Sequence, residues 1–237
     1  MKRLLALIMV VVLALSFVAC GVDPNEKSEG SMTHAEYVAA ELDSEVTIEA
    51  FVQAKQAWWE KDGQGLATLY LQDGTGGYFV YELPCSEADY NKMTVGTKLK
   101  IKGFKSEWAG EVEIIDATFE ILEDEYVAEA KDVTDIFANA DELVKYQNMF
   151  ATVKGLTVKS EAKYNWDGSG SVGNDLYIDL TLGDNDFTFV VESYLCDKDT
   201  AVYKAVDDLK AGDEVDVEGF IYWYEGVQVH ITKITKK

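Results

Sequence analysis

The strongest constraint on this chain is that it carries the same strand pair twice. Residues 93–119, MTVGTKLKIKGFKSEWAGEVEIIDATF, align with residues 209–236, LKAGDEVDVEGFIYWYEGVQVHITKITK, at a constant offset of 116 positions. Gly96 meets Gly212, Gly103 meets Gly219, Phe104 meets Phe220 and Gly110 meets Gly226. Leu99 and Ile101 fall opposite Val215 and Val217, each flanked by charge, so the period-2 pattern of a half-buried strand recurs with the glycines. Duplication of one folding unit accounts for all of this.

Working outward, the first unit reads as strands over 46–55, 67–72 and 78–83, a helix over 87–93, and strands over 98–104 and 111–122. The second reads as strands over 150–158, 176–182 and 187–194, a helix over 199–209, and strands over 214–222 and 227–234. A short helix is expected before each first strand, over 34–42 and over 133–146; in the latter Ile136, Ala140, Leu143 and Val144 share one face. The segment LYLQDGTGGYFVYE (69–82) is a hairpin by its β-branched and aromatic flanks and Gly-rich turn. Three strands, a helix and two strands is the order of the OB-fold, a five-stranded Greek-key barrel. The expected fold class is therefore all-β, with two tandem OB-fold barrels, each with a short helix between its third and fourth strands. Domain 1 is expected over 33–126 and domain 2 over 127–237, and 237 residues suffice for two ordinary domains.

Residues 1–19 have a basic start, Lys2 and Arg3, then an apolar run over 4–15, too short to span a bilayer and typical of a secretory leader. FVACG (17–21) resembles the bacterial lipobox, although Phe17 replaces the usual aliphatic residue, and the resemblance implies lipid attachment at Cys20. Several acyl chains give stable anchoring. The polar stretch 20–32 then reads as a flexible tether. The expected location is extracytoplasmic, lipid-anchored to the bacterial cell membrane. Cys85 and Cys196 each follow the third strand of their unit and read as buried small residues rather than a bridge.

The composition bears on partners. Hydrophobic residues make up 48% and aromatic residues 12%, enough for real cores, while the formal charge is −22. Without Lys2 and Arg3, 19 basic side chains face 43 acidic ones, a charge of −24, and no arginine remains. Affinity for nucleic acid rests heavily on cations at phosphates, and arginine supplies the bidentate fork. This ranks nucleic acid below a glycan, a peptide or another envelope protein as partner. Lys98, Lys100, Lys102 and Lys105 form the one basic stripe, set against Glu214, Asp216 and Glu218 in the second unit.

The run YLQDGTGGYFVYE, followed by VGTKLKIKGF, resembles the OB-fold domains of tRNA-anticodon-like type found in secreted bacterial nucleases and in lipoproteins. The likeness covers 46–122; the second unit keeps VxVxGF but replaces QDGTGG with Gly183-Asp184-Asn185-Asp186. It implies a ligand-binding barrel, for which nucleic acid is often inferred, and transfers no catalytic residues.

OB-folds bind on the face of strands 2 and 3 and on the loops joining strands 1–2 and 4–5. Trp58, Trp59 and Trp166 fall in the 1–2 connections; Trp108 and Trp223 fall in the 4–5 hairpins. With Tyr78 of the strand 2–3 hairpin and Tyr222, they make the candidate ligand-binding set, a stacking platform for sugar rings or bases. Packing at the barrel mouths or between the units is the structural alternative for the same tryptophans. Asn165, Asp167 and Ser169 resemble the start of a calcium loop, but Leu176 stands where its closing Glu belongs. His34 and His230 form no nucleophile–base or metal pattern, so neither enzyme activity, metal nor cofactor is expected. The leading expectation is a membrane-anchored, non-catalytic binding or adaptor lipoprotein; the alternative is a single-stranded nucleic-acid-binding protein.

Overall fold

The computed structural model describes residues 22–237. The expected leader and the Cys20 lipid site lie outside the described residues. Among those described, no helix is long and apolar enough to cross a bilayer.

After α1 (His34–Ala39), the first barrel runs through β1 (Glu45–Lys55), β2 (Trp59–Lys61), β3 (Gln64–Gln72) and β4 (Gly77–Pro84). It continues with α2 (Glu87–Lys92), β5 (Thr97–Trp108) and β6 (Glu111–Glu125). β1 pairs antiparallel with β3 and β5, β3 with β4, and β5 with β6, while β4 and β6 run parallel. That closes the ring of an OB-type barrel, with β2 added as a hairpin on β3. The second barrel comprises β7 (Lys131–Asp132), α3 (Ala140–Leu143), β8 (Phe150–Val158), β9 (Lys163–Tyr164), β10 (Leu176–Leu182) and β11 (Asn185–Val191). α4 (Ala201–Asp207), β12 (Glu214–Trp223) and β13 (Val227–Lys236) complete it. It closes the same way, through β8–β10 and the parallel pair β11–β13.

Strand alternation builds each interior. Val46, Ile48, Ala50 and Val52 point inward from β1, with Leu69, Leu71, Tyr78, Val80, Leu99 and Ile101 around them. The second interior is filled by residues such as Leu176, Ile178, Phe189, Tyr203, Val215 and Val217. The repeated glycines have a steric cause. A Cβ at Gly103 would lie 2.7 Å from the Ile115 carbonyl oxygen, and one at Gly219 would press on that of His230. At both points the ladder slips register, so the fourth strand bends across the fifth where only glycine fits. Cys85 and Cys196 are both free thiols.

Two local expectations are corrected. The segment 133–146 is not one helix: 3-10 turns at Thr134–Ile136 and Val144–Tyr146 flank the four-residue α3, which Asn139 caps. Nor do the described residues of the tether hang free. Lys27 Nζ pairs with Asp73 at 2.7 Å, Ser28 and Ser31 bond the buried Glu49 carboxylate, and Met32 bridges to Ile48. This segment reaches the hairpin turn at its tip. Asp73 accepts from the Thr75 and Gly76 amides and from the Tyr78 hydroxyl, while Pro24 and Asn25 lie against Gly74. The His34 ring crowds Gly76, and the Asn148 backbone crowds Gly77. The Gly-rich turn is thus a junction between the N-terminal segment, α1 and the second barrel.

The lysine stripe is spent on the same face. Lys98 and Lys100 flank Glu49, Lys98 also meets Asp124, and Lys102 meets Glu45. Lys105 donates to the carbonyls of Tyr37, Val38 and Ala40 at the end of α1.

Burial alone would push the Asp73 carboxyl up, but Lys27 and the turn's hydrogen bonds outweigh it and hold it below the usual aspartate range. A carboxyl lowered in the fold stabilises above its unfolded value, and that support is lost as pH falls through its folded one. Lys27→Met leaves Asp73 charged, buried and unpaired, a cost of about 3–5 kcal/mol. The expected Tm loss at neutral pH is on the order of 10 °C. It should shrink in acid, where Asp73 is protonated in both proteins; circular dichroism melts check both, and an unchanged Tm refutes the assignment.

Candidate functional site

The outer face of β3 and β4, where an OB-fold ligand is expected, is occupied by the other barrel. Tyr70 and Phe79 point out of barrel 1 and pack with Phe220, Phe150, Tyr222 and Leu195 of barrel 2. Tyr70 stacks on Phe220 with centroids 4.3 Å apart and planes 21° apart. Polar bonds frame this apolar patch: Phe150 N–H donates to Gln72 Oε1, Ala57 N–H to the Tyr194 carbonyl and Glu225 N–H to the Ala109 carbonyl.

At its centre the Tyr70 hydroxyl lies 2.7 Å from His230 Nδ1, fully buried. Burial raises the Tyr70 pKa and depresses that of His230 to about 3, so both are neutral. Among the described residues the phenol oxygen has no other hydrogen-bond partner, which assigns Tyr70 as donor to Nδ1 and the imidazole proton to Nε2. The His230 ring stacks on Tyr222 at 4.1 Å.

Above this seam the barrels diverge and leave a cleft of about 500 Å³. Barrel 1 contributes Trp59, Phe79, Tyr81 and Trp108; barrel 2 contributes Tyr194 and Tyr222, and His230 lines the cleft. Trp108, Glu192, Tyr222 and His230 also border a second groove of about 900 Å³, which extends past Tyr177 and Tyr224 to Trp166. The charged residues of the first cavity are Glu82, Glu113 and Glu192; the second has one cation, Lys163, and several acids. Burial raises Glu113, with Glu82 adding to it. Burial, then the nearby Asp175, raises Glu192 to about 7, and its Oε2 is buried and, among the described residues, has no partner. Among the described residues no group of His, Cys, Asp and Glu is arranged to hold a metal.

The structure divides the sequence candidates. Trp59, Trp108 and Tyr222 meet around one cleft, and Trp166, the most exposed tryptophan, stands at the far end of the adjoining groove. Tyr78 is corrected: it points into barrel 1, donates to Asp73 and packs on Tyr37. Trp58 packs on the barrel 1 core against Gly65, and Trp223 packs on the barrel 2 core with Gly110 beneath it. These two take the structural alternative. Phe79, Tyr81, Tyr194 and His230 were missed. For Phe79 and Tyr81 the signal was present, because alternation from the inward Tyr78 and Val80 turns both outward.

No family model and no curated protein matches the chain. The solved structures that match include a murine DNA-binding protein bound to double-stranded DNA, at 12% identity and TM-score 0.38, covering 81% of this chain and 99% of that one. A single-stranded DNA-binding protein from Thermus aquaticus matches at 14% identity and TM-score 0.27, covering 81% and 93%. A replication protein A heterotrimer bound to single-stranded DNA matches at 13% identity and TM-score 0.34, covering 81% of this chain and 48% of that one. The OB-type barrel of the sequence resemblance stands on the strand pairing above. The solved structures that match are DNA-binding proteins or DNA complexes, which stands against the ranking of a glycan, peptide or envelope protein above nucleic acid, at a likeness that shows the fold alone. The expected membrane anchor lies outside the described residues. The strand 2–3 face is open only in part: Tyr70 is buried in the barrel–barrel seam, while Phe79, Tyr81 and Glu82 of β4 also line the cleft beside it.

A histidine depressed by burial costs stability as pH falls below its unfolded value, because only the unfolded chain then takes up the proton. His230 should remain neutral, with its proton on Nε2, from about pH 8 to about pH 5, as read from imidazole nitrogen shifts. Tyr70→Phe removes the donor to Nδ1 and should cost about 1–3 kcal/mol. A titration step near pH 6.5 would show that the ring is not held this way.

Proposed function

We propose that this protein binds single-stranded nucleic acid and holds unpaired bases in the aromatic cleft between its barrels. The observation that carries this reading is the set of six aromatic side chains, from both barrels, around one open cavity that continues into a second. Unpaired bases expose both π-faces, and each base stacked on an aromatic side chain is worth about 1–3 kcal/mol. A duplex keeps those faces covered. The protein acts here as a binding protein, not a catalyst.

The electrostatics define the mode. The first cavity is lined by three glutamates and no lysine, and the Lys98–Lys105 stripe is committed to ion pairs and a helix end elsewhere. Phosphates therefore stay outside, and binding is driven by stacking. A second reading follows from the same carboxylates: an aromatic ring carrying a positive charge suits an acidic aromatic cleft through cation–π attraction.

Short single-stranded oligo-dA should quench tryptophan fluorescence, whereas the matching duplex should not. The slope of log affinity against log salt should be on the order of −1, far shallower than the roughly −0.7 per phosphate of a backbone-tracking protein. Trp108→Ala combined with Tyr222→Ala should weaken binding at least about tenfold. Absence of quenching at low salt, or a steep slope, overturns the proposal; quenching by a cationic aromatic dye alone selects the second reading.

A further inference from the structure

Stacking alone leaves one polar group of the cleft unused. His230 is 6% exposed, yet its ring lines both cavities. Nδ1 is turned into the seam and held by the Tyr70 hydroxyl at 2.7 Å. Nε2, on the far side of the ring, carries the proton and has no protein partner among the described residues. Nor is it sealed off. Among the described residues, the buried side-chain polar atoms left without a partner belong to Tyr37, Trp58, Glu111, Asn148 and Glu192, and His230 is not in that set. An unpartnered, unsealed N–H on a ring that lines two cavities opens into them. The fold thus holds a fixed donor at the wall the two cavities share.

We propose that the His230 Nε2–H selects the ring that enters the cleft: a planar heteroaromatic, such as a nucleobase, with a hydrogen-bond acceptor in its own plane. Such selection deepens the base-binding reading and rests on the cleft being the binding site, not on the ligand being a strand. A free nucleoside offers the same edge as a base in an oligonucleotide.

Water can meet this N–H in an empty cleft, but a ring that displaces the water must replace its hydrogen bond. A ring without an acceptor orphans a buried donor, and the penalty falls on that ligand alone. Geometry narrows the acceptor further. The N–H lies in the imidazole plane, which is 22° from the plane of the Tyr222 ring, with centroids 4.1 Å apart. A ring nitrogen or ring carbonyl holds its lone pair in the plane of its own ring. It can therefore accept from Nε2 while that ring stays roughly parallel to Tyr222, so bond and stack favour the same orientation. A sugar hydroxyl can accept as well, but its ring brings no π-face to Tyr222. Other donors on the walls are less fixed: the Tyr81 and Tyr194 hydroxyls rotate and can accept instead, and the Trp59 and Trp108 indoles stand on the exposed rim. Burial depresses His230 to about 3, so near neutral pH the imidazole keeps this single proton.

Adenosine and its 1-deaza, 3-deaza and 7-deaza analogues test this, since each analogue exchanges one ring acceptor for C–H and keeps the stacking face. Binding is read from tryptophan quenching and from the nitrogen and proton shifts of the His230 Nε2–H. Millimolar adenosine should move that signal, and at least one analogue should bind at least about fivefold more weakly. Tyr70→Phe combined with His230→Phe removes the donor and the phenol together, leaving no orphan in the seam, and should bring that ratio to about one. An unmoved Nε2–H signal, three analogues that bind as adenosine does, or a ratio that survives in the double variant overturns the inference. If the variant does not fold, the wild-type shifts and ratios decide alone. Oligo-dA titrated alongside separates the two readings. Quenching by oligo-dA with no His230 response sinks the donor and leaves the cleft a strand site; a response to adenosine but not to oligo-dA keeps the donor and sinks the strand.

Discussion

The rest of the structure depends on one buried bond, from the Tyr70 hydroxyl to His230 Nδ1, inside the aromatic stack of Tyr70, Phe79 and Phe220. Two OB-type barrels on one chain need no fixed relation, since each has its own interior. Here the outer face of β3 and β4 is apolar and aromatic, and burying it against β12 removes it from water. The phenol proton and the imidazole Nδ1 satisfy each other, so the patch closes over a matched donor and acceptor. With the barrels set at this seam, the surfaces above it diverge into the cleft. The loop residue Trp59 and the hairpin residue Trp108 then come to face Tyr222 and Tyr194.

The duplication supplied two similar units, and the seam explains why they have drifted apart. Gly103 and Gly219 do the same work, since each fourth strand must cross its neighbour closely. Phe104 and Phe220 do not: Phe104 is 42% exposed, whereas Phe220 is 2% exposed and forms the stack. Gly110 supports the Trp223 indole, while nothing lies within 4 Å of a Cβ at Gly226. The first hairpin turn packs against the N-terminal segment, His34 and Asn148, and each of those close approaches falls at a glycine. At Gly183, in the corresponding turn of the second unit, a Cβ would meet nothing. Only the turn that serves as a junction carries the glycine-rich sequence.

What could be read from the sequence follows from where the information is local. Period-2 alternation and repeated glycines are local, and they lead to the strands, the two barrels and the connection order. The 133–146 segment misleads because its apolar spacing suggests one helical face that does not form: Leu143 is buried, but Ala140 and Val144 are exposed and Phe137, off that face, is buried, with the backbone running through two 3-10 turns and the four-residue α3. The N-terminal segment looks like a linker because its residues are polar; Lys27 and Ser28 find their partners in Asp73 and Glu49, some 46 and 21 residues away. The site is half legible. Loop tryptophans mark the cleft, but which of them face outward depends on the barrel–barrel approach, and no one-dimensional pattern encodes that. Nothing in the sequence separates Trp58 from Trp59, although one packs on a core and the other lines the cavity.

Net charge is the sequence feature whose meaning changes most. At −22 it argues against phosphate-tracking, and the structure strengthens that argument by pairing the lysine stripe. Charge repels a backbone; it does not forbid a stacked base, whose binding energy comes from area and π-contact. Burial also means that the glutamates around the cleft do not all count as charges. Glu192 sits near neutrality at about 7, Glu113 is raised, and Glu111 below them holds its proton to about 8. A cleft whose formal charge overstates its field is compatible with a ligand that presents its rings inward and its phosphates to water.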